Sequence, residues 1–165
     1  MEDSKVLLEV KNLKKYFNTP KGLLHAVDDV NFSIREGKTL GVVGESGCGK
    51  STTGRVILRL LEATDGEILF EGKNIRNYTK EQMIEIRQKM QIIFQDPSSS
   101  LNPKKNVEQI ISAGIIKHRL CSGSQVRERC IEIMEKCGLD KRQMMRYPHE
   151  FSGGQKQRIG IARAL

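Results

Sequence analysis

Gly44-Glu45-Ser46-Gly47-Cys48-Gly49-Lys50-Ser51-Thr52 is the stretch from which the rest of the chain is read. It follows Thr39-Leu40-Gly41-Val42-Val43, a short apolar run that predicts a strand, and leads into residues 53–61, which predict a helix. Strand, glycine loop and helix in that order, with the spacing G-x-x-x-x-G-K-[ST], describe a phosphate-binding loop. Glycines let the backbone curl so that successive N–H groups face one anion, and the helix N-terminus behind them adds partial positive charge. Lys50 can bring an ammonium to the β- and γ-phosphates of a nucleotide. The Ser51 hydroxyl can take one position on the magnesium ion that accompanies it, and Thr52 supports the α-phosphate side. A chance glycine-rich turn is the bland alternative, and such turns rarely fall between a strand and a helix.

Upstream, residues 7–13 and 26–34 alternate as half-buried strands do, separated by a turn around Pro20 and Gly22. Lys14-Lys15-Tyr16-Phe17 lie between them, and spacing alone favours core for the two aromatics over stacking on a base. Downstream, Asp65-Gly66 breaks the chain, residues 67–70 predict a strand, and Glu71-Gly72-Lys73 closes a hairpin-like excursion. Thr79 with Gln82 has the spacing of a capping box, which predicts a helix over 80–89 with Met83, Ile86 and Met90 on one face. Residues 90–94 predict a buried strand that ends at Gln95-Asp96-Pro97, where proline halts regular structure.

From Asn106 the periodicity becomes helical. Val107, Ile110, Ile111 and Ile115 mark one apolar face; Val126, Cys130, Ile133, Met134 and Cys137 mark a second, opened by Ser122 with Gln125 and closed by Gly138. Ser152-Gly153-Gly154-Gln155 has the form of a further helix start, followed by a helix over 156–165. It is a second glycine-bearing N-terminus able to face an anion.

A chain of 165 residues is about one domain and buries roughly 70% of its unfolded surface. No run of about eighteen apolar residues is present, and Met1-Glu2-Asp3-Ser4-Lys5 lacks the apolar centre of a signal peptide, so a cytosolic location is expected. Cys48, Cys121, Cys130 and Cys137 show no C-x-x-C spacing, which argues against a metal or disulfide framework. Cys48, at a helix N-terminus, is the one thiol placed to be reactive. The net charge of +8 is scattered along the chain, and three tyrosines, five phenylalanines and no tryptophan offer bases little to stack on. A solvated basic surface is therefore preferred to a nucleic-acid interface.

Phe151-Ser152-Gly153-Gly154-Gln155-Lys156-Gln157-Arg158 resembles the signature sequence of the ATP-binding-cassette ATPases. It follows a phosphate loop and a glutamine placed after an apolar strand, in the family's order. The wording of Gly44 to Gly49, of Gln95 to Pro103 and of Arg146 to Gln155 is similar to the oligopeptide and dipeptide permease subunits, with related nickel importers sharing much of it. The resemblance implies an α/β fold: a P-loop NTPase core with an antiparallel β subdomain over residues 1–97 and a helical, signature-bearing subdomain over 98–165.

It also implies ATP and Mg2+ as cofactors. By position, Tyr16 matches the aromatic that stacks on adenine, against the core reading from spacing. Gly44, Glu45, Ser46, Gly47, Cys48, Gly49, Lys50, Ser51 and Thr52 hold the phosphates, Ser51 and Gln95 the magnesium, and Lys50 and Gln95 take part in catalysis. Ser152, Gly153, Gly154 and Gln155 face the γ-phosphate of a nucleotide held by a second ATPase subunit. The loop after Gln95 meets membrane-spanning permease subunits, which places the chain peripherally on the cytoplasmic face of the membrane, with no nucleic acid as partner.

The family pattern continues past the signature helix into an apolar strand bearing an aspartate for magnesium and a glutamate for water, and residues 1–165 do not include them. Residues 1–165 alone are accordingly expected to bind ATP at most. Lacking a central strand worth about 8 to 15 kcal/mol of burial, they are expected to be marginal in isolation. Two other readings are a nucleic-acid-associated cassette ATPase, motivated by the basic charge but without heptads or paired cysteines, and a non-hydrolysing nucleotide-binding protein.

Overall fold

The structure, a computed structural model, describes residues 5–165; the opening Met1-Glu2-Asp3-Ser4 lies outside the described residues. The chain divides into two compact units, one ending at Met90 and the other beginning at Gln91.

The first unit is built on a long hairpin, β1 (Val6–Thr19) and β2 (Gly22–Arg35). With β3 (Asp65–Phe70) and β4 (Lys73–Asn74) it makes a four-stranded antiparallel sheet in the order β2-β1-β3-β4. Lys14 to Phe17, expected between strands, are part of β1, because register shifts let the hairpin continue past each irregularity instead of ending there. One shift carries Lys15 opposite Val27 and then Tyr16 opposite His25, which leaves Ala26 as an extra residue on β2.

Helix α1 (Lys50–Ile57) starts earlier and ends sooner than expected. It buries Val56 and Ile57 in a core with Leu8, Val10, Leu13, Val27, Ile68, Phe70, Ile75 and Met83, at about 1.5 to 3 kcal/mol for each fully buried side chain. It stops because Arg59 adopts a left-handed conformation, with Arg59 N–H donating to Val56 O and Leu60 N–H to Arg55 O. The guanidinium of Arg59 anchors this turn by donating to the carbonyls of Ile75 and Tyr78, at 3.1 and 2.6 Å. Helix α2 (Lys80–Lys89) has the expected limits and the expected Thr79/Gln82 capping box.

Two expected core strands do not form. Residues 39–43 and 90–94 are irregular, and Val43 is 93% and Ile93 50% exposed. An apolar β-branched run has the propensity for a strand, but a strand exists only as a paired ladder. Among the described residues neither run has a ladder partner.

The second unit is helical: α3 (Pro97–Ser100), α4 (Val107–Lys117), α5 (Val126–Lys136) and α6 (Gly153–Ala164). Val107, Ile110, Ile111, Ile115, Cys130, Ile133, Met134, Phe151 and Ile159 lie in its core, so both apolar faces read from spacing are the buried ones. The Ser122/Gln125 box opens a single 3-10 turn that continues into α5, and Gly138 ends α5. Helix α6 begins at Gly153, three residues before the expected start.

Candidate functional site

The phosphate loop joins the exposed run at 39–43 to α1. Gly49 is the N-cap residue of α1 at φ 95°, and a Cβ there would overlap the carbonyl oxygen of Ala26. Only glycine fits a position that is both left-handed and pressed against a neighbouring backbone. Gly47, at φ 83°, supplies the second left-handed turn of the loop.

Lys50 folds back across this loop. Its Nζ donates to the carbonyl oxygens of Gly44 at 2.7 Å and Glu45 at 2.5 Å, and lies 3.4 Å from Cys48 Sγ. The ammonium is thus held by loop carbonyls, partners that a phosphate group can replace.

Helix α1 receives no side-chain cap and has no acidic residue in its first turn. Helices α2, α4 and α6 each carry a capping box. The first N–H groups of α1 are therefore not engaged by a capping carboxylate or hydroxyl, which leaves this N-terminus open to an anion. Glu45, Ser46, Cys48 and Ser51 are exposed and Thr52 is half-buried, so these loop residues meet solvent. Among the described residues no group of three or more His, Cys, Asp or Glu is arranged for a metal ion. The donors available to a hard cation here are hydroxyl and amide oxygens together with phosphate, which is chemistry that suits Mg2+.

Tyr16, in the same unit, belongs to neither core. Its ring stacks on His25 with centroids 3.9 Å apart and planes 19° apart. Its hydroxyl donates to Asp28 Oδ1 at 2.5 Å, and its N–H donates to Thr64 Oγ1 at 2.9 Å. The bond to Asp28, with smaller effects of desolvation and neighbouring carboxylates, pushes the phenol up to about 12. The same bond, then the one from His25, holds the Asp28 carboxyl below the usual carboxylate range. Spacing suggested core for Tyr16; the half-buried, stacked ring replaces that reading.

Gln95, exposed, and the signature residues lie in the second unit. Asp96 follows Gln95 and caps α3 by accepting from the N–H groups of Ser98 and Ser99 at 2.8 and 3.3 Å. The Ser100 carbonyl at the end of that turn accepts from Arg163 Nη1 of α6 at 2.5 Å, tying the segment after Gln95 to the signature helix. Ser152 Oγ accepts from the Gln155 N–H at 3.4 Å, while Gln155 Oε1 accepts from Ser152 N–H at 3.0 Å. Phe151, buried beside them, anchors the turn, and Ser152, Gly153 and Gly154 are left exposed. The structure thus groups Tyr16 and the phosphate loop in one unit, and Gln95 and the signature in the other.

The family model described as ABC transporter matches residues 27–165. The chain belongs to the ABC transporter family. It is 56% identical over 161 residues to the oligopeptide transport ATP-binding protein OppF of Bacillus subtilis, covering 96% of this chain and 53% of that protein. It is 47% identical to the dipeptide transport ATP-binding protein DppF of Lactococcus lactis, covering 100% and 54%. Among solved structures, the dimeric bacterial ABC transporter cassette MJ0796 superposes with a TM-score of 0.85 at 29% identity, covering 96% of this chain and 69% of that one. The post-hydrolysis dimer of the same cassette, bound to ADP and Pi, gives 0.84 at 31% identity. The chain spans about half the length of the curated relatives it matches. Its architecture, an antiparallel sheet followed by helices, is the α/β arrangement of these ABC cassettes over the part of the fold that it covers.

Residues that sequence reasoning missed are His25, Asp28 and Ala26. Their roles depend on a register shift in the hairpin. The alternation of apolar residues carries no signal for it.

Proposed function

We propose that this chain is the nucleotide-binding part of an ABC importer ATPase that couples ATP binding and hydrolysis to the uptake of oligopeptides or dipeptides. The observation that carries the reading is the Lys50 ammonium lying across a glycine loop at a helix N-terminus that no side chain caps. The similarity to OppF and DppF supports peptides as the transported class.

In this account Lys50 exchanges the Gly44 and Glu45 carbonyls for phosphate oxygens, and residues 44–49 offer backbone N–H groups to the same anion. Tyr16 stacks on the adenine. Ser51 and Gln95 would hold Mg2+, which would supply charge neutralisation for the phosphates. Gln95 also orients the attacking water.

Ser152 to Gln155 would meet the γ-phosphate held by a second ATPase subunit. The Ser152 hydroxyl, now bonded to Gln155, would then turn to a phosphate oxygen. Such contacts exist only while that phosphate is present, so ATP favours the closed pair and hydrolysis releases it. Residues 1–97 would form the β subdomain and phosphate-loop core, and 98–165 the helical subdomain. The segment after Gln95 would dock on permease subunits at the cytoplasmic face of the membrane. Among the described residues no helix is long and apolar enough to cross a membrane.

Uptake of labelled di- and oligopeptides by vesicles carrying the complete ATPase that contains these residues, together with its permease, tests the reading. Peptide uptake that needs ATP and disappears with Lys50→Ala is the expected result. Uptake of nickel but not peptides would replace the substrate class, and ATP-independent uptake would contradict the coupling.

A further inference from the structure

Tyr16 is held more firmly than a surface tyrosine needs to be. It stands directly opposite His25 on the neighbouring strand, and the two rings stack at 3.9 Å. One carboxylate then engages both rings: Asp28 Oδ1 accepts from the Tyr16 hydroxyl at 2.5 Å, and Asp28 Oδ2 lies 3.2 Å from His25 Nδ1. A carboxylate only accepts, so the His25 nitrogen that faces it carries the proton. In a regular strand, residues three apart point to opposite faces. The extra residue Ala26 cancels that difference and lets His25 and Asp28 meet on one side. The same Ala26 presents its carbonyl to Gly49, so the residue that shapes the ring cluster is also packed on the phosphate loop.

The geometry points to His25 and Asp28 as positioning residues for a nucleobase: Asp28 fixes the Tyr16 phenol, His25 backs one face of its ring, and the base stacks on the other face. This rests on the reading of Tyr16 as the base-stacking residue. Neither side chain contacts the nucleotide. They act by removing rotations that the Tyr16 ring would otherwise lose on binding, so the platform is set before the base arrives. A backing ring and a shared carboxylate do this in the exposed end of a hairpin, where packing cannot.

The test compares binding of MgATP with binding of magnesium tripolyphosphate, which lacks the base, to the full chain. Tyr16→Ala is expected to weaken MgATP about 5- to 100-fold and to leave tripolyphosphate unchanged. Tyr16→Phe and Asp28→Asn are each expected to weaken MgATP about 2- to 10-fold, with the double variant no worse than either single one. His25→Ala should do the same and His25→Phe, which restores a flat ring, should recover most of the loss. Unchanged tripolyphosphate binding reports in every case that the phosphate loop is folded.

If Tyr16→Ala acts selectively on MgATP while Asp28→Asn and His25→Ala do not, the positioning role is overturned and the platform stands. Equal weakening of both ligands by Asp28→Asn also overturns it, since the residue then serves the fold. If Tyr16→Ala leaves MgATP binding unchanged, the platform reading fails, and the positioning role with it.

Discussion

The Ala26 carbonyl oxygen occupies the space that a Cβ on Gly49 would need. The contact joins a bulge in β2 to the N-cap residue of the phosphate loop's helix. Gly49→Ala must therefore displace either strand or loop, and it also forces a side chain into φ 95°. A loss of about 1 to 3 kcal/mol in stability is expected. Gly47→Ala, where nothing lies within 4 Å, should lose only the cost of its positive φ, about 1 kcal/mol. Urea midpoints of the two variants check the order; equal losses would contradict the close approach at Gly49.

The signature turn caps itself. Ser152→Ala removes the hydroxyl that accepts from the Gln155 N–H, and about 1 kcal/mol of stability should be lost, with Ser152→Gly losing less than the alanine variant. Thermal unfolding of the two variants measures this. An alanine variant as stable as the parent would mean that the cap is not formed in solution.

Thiol reactivity should separate the cysteines. Cys48 is exposed, whereas burial pushes the Cys130 thiol up to about 11 and raises Cys137 as well. Under native conditions a soluble maleimide should label Cys48 first and leave Cys130 unlabelled until the chain is unfolded. MgATP should slow labelling of Cys48, because the nucleotide would cover the loop. Peptide mapping of the labelled protein gives both answers.

Asp140 carries a pH dependence of known sign. Its hydrogen bonds from Arg142, side chain first and backbone second, hold the carboxyl at about 2. Because the folded value lies below the unfolded one, near 3.9, the contribution to stability is complete above the unfolded value and is lost as pH falls through about 2. Carboxyl chemical shifts followed through acid titration should show Asp140 titrating last among ordinary aspartates. Arg142→Ala should return it toward the usual range.

What could be read in advance follows from how local each signal is. The Thr79/Gln82 box and the end of α5 at Gly138 are set by residues within one turn, and both were legible. Arg59 and Arg119 end α1 and α4 with the same left-handed turn, yet no glycine marks them, so the spacing of apolar residues carries α1 past its true end. Residues 39–43 and 90–94 have strand composition, but composition does not supply a ladder partner. Within the candidate site, the phosphate loop is one contiguous motif, so its spacing is visible in the sequence itself. The cluster of Tyr16, His25 and Asp28 depends on one extra residue in a hairpin, and nothing in the spacing of apolar side chains records it.

The MgATP dissociation constant of the full chain with and without Lys50→Ala tests the central claim most directly. Removing a charge-assisted phosphate contact should weaken binding about 10- to 100-fold while the unfolding midpoint stays near that of the parent. An unchanged dissociation constant would contradict the assignment of this loop as the nucleotide site.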